Sequence, residues 1–327
     1  MTTHTSTPVR TTTPVVAPAD AEAARQPSRA EERRSAAIER RAEITRTRSL
    51  LLGRSRLATT VSFVVLALLA AAWLLPLAWA IDTSFKTEVE AQSLPLRWFP
   101  EDGFTLENYA TVFARGEVVR WMWNTLLVAT LVTVFTVAIS ALAGYAFSRT
   151  VFRGRRWLFA ATIALIMVPG QILIVPLFRE MVFLQAVDTF AGVILPQLVA
   201  PMMVFIFKQY FDQVPQEVED AARIDGAGNW RLFWSIMLPI SRPIVTAVAI
   251  FVFIGAWNNF MWPFIITNNP DLMTLPVGLS TVRNAYGIIY AQTMAAAMIA
   301  ALPLTVLFMV FQRHIIKAVA TTGLGGQ

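Results

Sequence analysis

Six stretches of this 327-residue chain contain no Asp, Glu, Lys, Arg or His, and they constrain everything else it can become. They run over Leu57–Ile81, Met122–Phe147, Trp157–Phe178, Thr189–Phe207, Pro243–Thr267 and Ile289–Gln312. Each is long enough to cross a hydrocarbon layer of about 30 Å at roughly 1.5 Å per residue. Backbone amides have no water to bond there, so each crossing segment must be helical. The hydrophobic share of 56% places the chain with membrane proteins independently of those runs. The expected fold is an all-α integral membrane protein of six transmembrane helices.

Charge then orients the chain. Of the 27 Lys and Arg residues, 21 fall on the tail, the loops after spans two and four, and the C-terminus, against six on the other side. The excess of positive charge marks the cytoplasmic face, so both termini are expected there. The net charge of +6 follows the span ends and forms no single stripe, which argues against nucleic acid. There is no cysteine, and the two histidines sit at opposite ends, which excludes thiolate chemistry and a histidine metal cluster in the spans. Residues 1–56 carry eleven Arg and no Lys and are expected to be a disordered basic tail beside anionic lipid, with a charged helix around 31–48 as the alternative. The membrane domain is expected over 57–315 and a cytoplasmic tail over 316–327. The external loop 82–121 is long enough to pack as a cap or to dock a partner.

The informative interruption is the polar block 208–242, expected in the cytoplasm. Pro215 suits the first position of a short helix, and Glu217, Glu219 and Asp220 place acid in its first turns, where the helix dipole favours it. Val218, Ala221 and Ala222 give it a small apolar face. Asp225-Gly226 ends it, since glycine takes the left-handed cap without steric cost. Asn229 is expected to cap a second helix in which Trp230, Phe233, Trp234 and Met237 form one stripe, stopped by Pro239 and Pro243. Such a block is either an amphipathic surface loop or an element that docks into a groove on a soluble partner.

The spans lack the mid-membrane ionisable groups that ion-coupled transporters use. No Gly-Lys-Ser/Thr nucleotide loop occurs either, so transport by this chain would draw its energy from another subunit. Proline breaks occur at Pro169, Pro176, Pro196, Pro201, Pro263 and Pro303. Asn124, Gln171, Gln197, Asn258, Asn259 and Gln292 could line a route for a polar uncharged solute, with Trp257 in its wall, or could bridge helices.

The block resembles the EAA loop of ATP-binding-cassette importer permeases. Asp220-Ala221-Ala222, Gly226, Ile236 and Leu238-Pro239 keep every spacing of that pattern, with Asp220 in place of the usual glutamate. Further pieces resemble the carbohydrate branch, specifically the maltose-type second permease subunit: Asn124-Thr125-Leu126, Ala143 to Arg149, Val168-Pro169, Asp225-Gly226-Ala227 and the stretch from Trp257. The resemblance implies a sugar-import permease of the cytoplasmic membrane with no active site. It implies a second homologous permease, two cytoplasmic ATPase subunits that bind the ATP, and an extracytoplasmic solute-binding protein. Coupling residues would be Glu217, Asp220, Ala221, Ala222, Asp225, Gly226, Ile236 and Pro239. Import of another polar solute such as glycerol phosphate is the near alternative, and a stand-alone secondary transporter or channel the distant one.

Overall fold

The computed structural model describes residues 56–281, 283–284 and 287–324. The expected basic tail, its alternative helix at 31–48 and residues 325–327 lie outside the described residues. The chain divides after Leu74 into two units. The first is the start of helix α1 (Arg56–Ser84), apolar on every side and exposed along its length, as a lipid-facing helix would be.

The second unit holds the remaining elements. After α1 come α2 (Glu88–Gln92), α3 (Glu107–Arg115) and the long α4 (Glu117–Arg149). Two broken spans follow: α5 (Arg155–Ile166) with a 3-10 turn and α6 (Ile174–Phe183), then α7 (Phe190–Ile194) with a 3-10 turn and α8 (Pro201–Asp212). The polar block forms α9 (Gln216–Ile224) and α10 (Asn229–Ile240). The chain closes with α11 (Arg242–Trp257), α12 (Met261–Ile266), α13 (Leu275–Ser280), a minimal hairpin of β1 (Arg283–Asn284) and β2 (Gly287–Ile288), and α14 (Tyr290–Leu324). That hairpin is the one β element among the described residues of an otherwise all-α fold.

Three helices are each long and apolar enough to cross a membrane, and the number reaches six if each bent pair counts as one span. The third and fourth expected spans are therefore not continuous. α5 and the segment 170–183 meet at 100° around Pro169-Gly170, and the α7 and α8 halves meet at 45° before Pro201. A residue preceding proline is pushed out of the helical region, and proline itself lacks the N–H that would continue the ladder. The fifth run breaks at Asn258–Phe260 between α11 and α12. At the other end, α14 runs on to Leu324.

Packing centres on α4, which lies against α8 and α11. Gly144 permits a close approach of α4 to α8: a Cβ there would lie 2.6 Å from Phe207 Cβ and 2.9 Å from the Lys208 backbone nitrogen. Small residues at such crossings let helix backbones meet where no hydrophobic force drives them together. One core gathers Trp121, Val128, Trp257, Trp262 and Ile266. A second gathers Tyr145, Phe207, Phe211, Phe233 and Met237 directly beneath the polar block.

The 82–121 segment packs as a cap. Asn108 donates its amide to the Ser84 and Lys86 carbonyls, and the Glu88 carboxylate accepts from the Tyr290 and Ala291 backbone N–H groups at the start of α14. The 268–288 segment is tied down as well. Trp121 donates to the Pro270 carbonyl, Arg120 pairs with Asp271, and the Leu275 N–H reaches Thr125 Oγ1.

Candidate functional site

The polar block folds as two helices joined by a tight turn, with its chemistry sorted between inner and outer faces. α9 starts one residue later than Pro215, which precedes the helix in an extended conformation. It ends in a full left-handed cap: Gly226 N–H bonds the Arg223 carbonyl at 3.0 Å and Ala227 N–H bonds the Ala222 carbonyl at 2.9 Å. Gly226 itself has φ +78, and open space surrounds the position a Cβ would take. This is the Schellman arrangement that a glycine just past the helix end makes possible.

The second helix departs from expectation in two ways. Asn229 is its first residue and not its cap; its side-chain oxygen accepts from Arg223 at 3.0 Å, and its carbonyl accepts from the Tyr145 hydroxyl at 3.4 Å. The apolar stripe also divides. Phe233 and Met237 are buried together with Leu232, whereas Trp230 and Trp234 are exposed. The cause is a π-helical turn over Phe233–Met237, which widens the repeat so that Leu232 and Met237 share a side. Pro239 falls just beyond it, inside the helix and not at its stop; the chain turns by 79° only at Ser241, between α10 and α11. Ile236 is half-buried beside this turn.

α9 divides by face. Ala222 and Glu219 are buried and Val218 is half-buried. Glu217, Asp220, Ala221, Ile224 and Asp225 point outward. The apolar face expected from Val218, Ala221 and Ala222 is thus corrected: Glu219 takes the inner position and Ala221 lies outside. Asp220 has no ion-pair partner among the described residues. Glu219 has one. Its carboxylate lies 3.1 Å from Arg149 Nε at the end of α4, and both side chains are almost wholly buried. The Arg149 guanidinium also donates to the Phe211 and Val214 carbonyls, so one side chain joins α4, the end of α8 and α9. Sequence reasoning missed this pair, reading Glu219 as a helix-dipole acid and Arg149 as a loop charge. The i, i+3 spacing puts Glu219 and Ala222 on one side of the helix, but nothing in the sequence says that this side is the buried one.

The seven amide and aromatic path residues do not form one site, and Gln292 is half-buried with its side-chain oxygen accepting no hydrogen bond among the described residues. Gln197 and Asn259 meet, with Asn259 Nδ2 donating to Gln197 Oε1 at 2.7 Å, while Gln197 Nε2 donates to the Val193 carbonyl. Each stands at the break of a span, so the two interruptions face each other. Asn258 bonds back to the Ile254 carbonyl of its own helix. Gln171 is exposed at the 100° bend. Asn124 is buried and braces the 268–288 segment through the Asp271 and Met273 carbonyls. Trp257 is buried and stacked on Phe253 at 5.7 Å.

Away from the block, Asp188 has φ +56 and joins the α6–α7 turn to the α12 end. Its carboxylate accepts the Asn269 and Asn268 backbone N–H groups, and those two bonds hold it below the ordinary carboxylate range.

Comparison with known proteins bears on the same region. A family model described as "Binding-protein-dependent transport system inner membrane component" matches residues 136–321, which include the end of α4 and the whole polar block. The arabinooligosaccharides transport system permease protein of Halalkalibacterium halodurans is 36% identical over 82% of this chain and 95% of its own. The trehalose/maltose transport system permease protein of Thermococcus litoralis is 33% identical over 80% and 94%. A solved bacterial ABC transporter involved in the import of the acidic polysaccharide alginate superposes with a TM-score of 0.70 at 19% identity, over 79% of this chain and 96% of that one. At that identity the likeness shows the fold.

Proposed function

Because the chain belongs to the inner-membrane components of binding-protein-dependent transport systems, we propose that it forms half of the path by which an ATP-driven importer moves a sugar or oligosaccharide across the cytoplasmic membrane. The relatives are transport permeases, and several carry sugars or oligosaccharides in their names. In this reading the other half is a homologous permease, two ATPase subunits in the cytoplasm bind the ATP, and an extracytoplasmic protein delivers the solute. In this reading both termini and the polar block face the cytoplasm, the side that the charge asymmetry favours.

The observation that carries the reading is the two-faced α9. Its inner side is locked to the spans through Glu219 and Arg149, and its outer side presents Glu217, Asp220 and Asp225 to whatever docks there. An element rigidly joined to several spans at once converts a push from a docked ATPase into movement of those spans. Ile236 and Pro239 belong to the second half of the same unit, whose bend at Ser241 leads directly into α11. The solute would pass the facing breaks at Gln197 and Asn259, whose amides match hydroxyl groups without demanding a counter-charge.

Asp220→Lys tests the docking. It leaves the inner contacts untouched and reverses an exposed charge, so co-purification of the ATPase subunits should drop severalfold while membrane insertion persists. Unchanged recovery would remove Asp220 from the interface.

A further inference from the structure

At the junction of α4 and α5, on the same end as the polar block, the chain builds an aromatic hollow with a basic rim. It encloses about 470 Å³. Phe147 and Phe159 form its floor, their rings 5.4 Å apart, with Phe152 beside Phe147 at 6.2 Å. Arg155, Arg156 and Lys208 supply the charge, and no acidic side chain lines it. The nearest acid, Asp212, is already engaged by Lys208 and by the Ser148 hydroxyl. Lys208 stands 5.0 Å above the Phe159 ring, and Arg155 is oriented by the Thr150 and Ser148 carbonyls at 3.1 and 3.0 Å. Arg156 is exposed and has no ion-pair partner among the described residues.

Two features ask for an anion here. The first turn of α5 carries two arginines and no acid, and no side chain caps it. Cations at the positive end of a helix dipole are disfavoured unless negative charge lies close by. The second feature is depth. The uncharged run begins at Trp157, which is exposed, and Leu158 and Leu165 beyond it are exposed too. Tryptophan at such a boundary marks the headgroup level, and the outer face of α5 offers an apolar track for acyl chains.

We propose that this hollow binds the headgroup of an anionic phospholipid, its phosphate held by Arg155, Arg156 and Lys208 and its chains lying along α5. Basic pockets between membrane helices on the cytoplasmic side are suited to such headgroups. A lipid held there joins α5 to α8, whose last turn also receives Arg149, and so bears on the mounting of α9.

The test uses the full-length chain, purified from membranes in mild detergent with its co-purifying subunits and stripped of lipid. It is titrated with dioleoyl-phosphatidylglycerol or dioleoyl-phosphatidylcholine, and adducts are read by native mass spectrometry. The anionic lipid should bind at least about fivefold tighter, the gain one basic residue gives beside a negative headgroup. Replacing Arg156 and Lys208 together by Gln should cut the preference for the anionic lipid severalfold, whereas Arg156→Lys should keep it and so separate lost charge from lost fold. Equal binding of both lipids by the unaltered chain overturns the proposal. Displacement of phosphatidylglycerol by excess inorganic phosphate overturns it in favour of a soluble phosphate site. Loss of co-purifying subunits in the double variant, with lipid preference intact, overturns it in favour of a protein interface.

Discussion

Arg149 and Glu219 share a nearly water-free position, and the consequence is asymmetric. Removing Arg149 leaves the buried Glu219 carboxylate with only the partly exposed Arg223 at 3.9 Å, which costs about 3 kcal/mol or more, whereas replacing both members of a buried pair with apolar groups is often neutral. Arg149→Met should therefore lower the thermal midpoint of the detergent-solubilised protein clearly, and Arg149→Met with Glu219→Leu should recover most of the loss. An additive double variant would mean the two residues act independently. At Asp188 the argument concerns pH. Backbone donors depress its pKa below 3.8, so the unfolded chain takes up the proton more readily than the folded one. Its contribution is present above the unfolded value and is lost as the pH falls through the folded value. Melting curves across that acid range should show the wild type losing stability more steeply than Asp188→Asn, and parallel curves would contradict the assignment.

At the scale of the element, the α9 turn is the sharpest target. Gly226 holds φ +78 with nothing near its missing Cβ, so space is not the obstacle to a side chain there; the backbone is. A left-handed backbone costs an ordinary L-residue about 1–2 kcal/mol, and a branched one suffers most. Gly226→Val should reorient α10 relative to α9 and abolish uptake with the spans still inserted. Normal uptake would mean that the turn is not needed in this form. This cap was legible in the sequence because a glycine after a charged helix end has few other purposes. The register of α10 was not legible. A stripe at i, i+3, i+4 and i+7 assumes about 3.6 residues per turn, and the π turn breaks that assumption.

For the whole molecule, the distribution of charge sets the expectation. No Asp, Glu, Lys, Arg or His lies within the six apolar runs, so they offer none of the charged groups that ion-coupled transporters place at mid-membrane. Reconstituted alone in vesicles, the chain should move no sugar down an imposed proton or sodium gradient. With the second permease, ATPase subunits, binding protein and ATP that the importer reading calls for, uptake should appear. Gradient-driven uptake by the chain alone would overturn the importer reading in favour of a secondary transporter.

The sequence by itself determined where the chain is apolar, which face is basic and where the polar block lies, because hydrocarbon and water sort residues by composition alone. The fixed distances between Asp220, Gly226, Ile236 and Pro239 carry the block's resemblance to the EAA loop. Only the tertiary structure decided which side of α9 Glu219 faces, that Arg149 meets it, and that Gln197 meets Asn259. Arg149 and Glu219 lie seventy residues apart in sequence, and 62 separate the two amides. Pairings at that range depend on how bent spans pack against α4, and no local pattern records a bend angle.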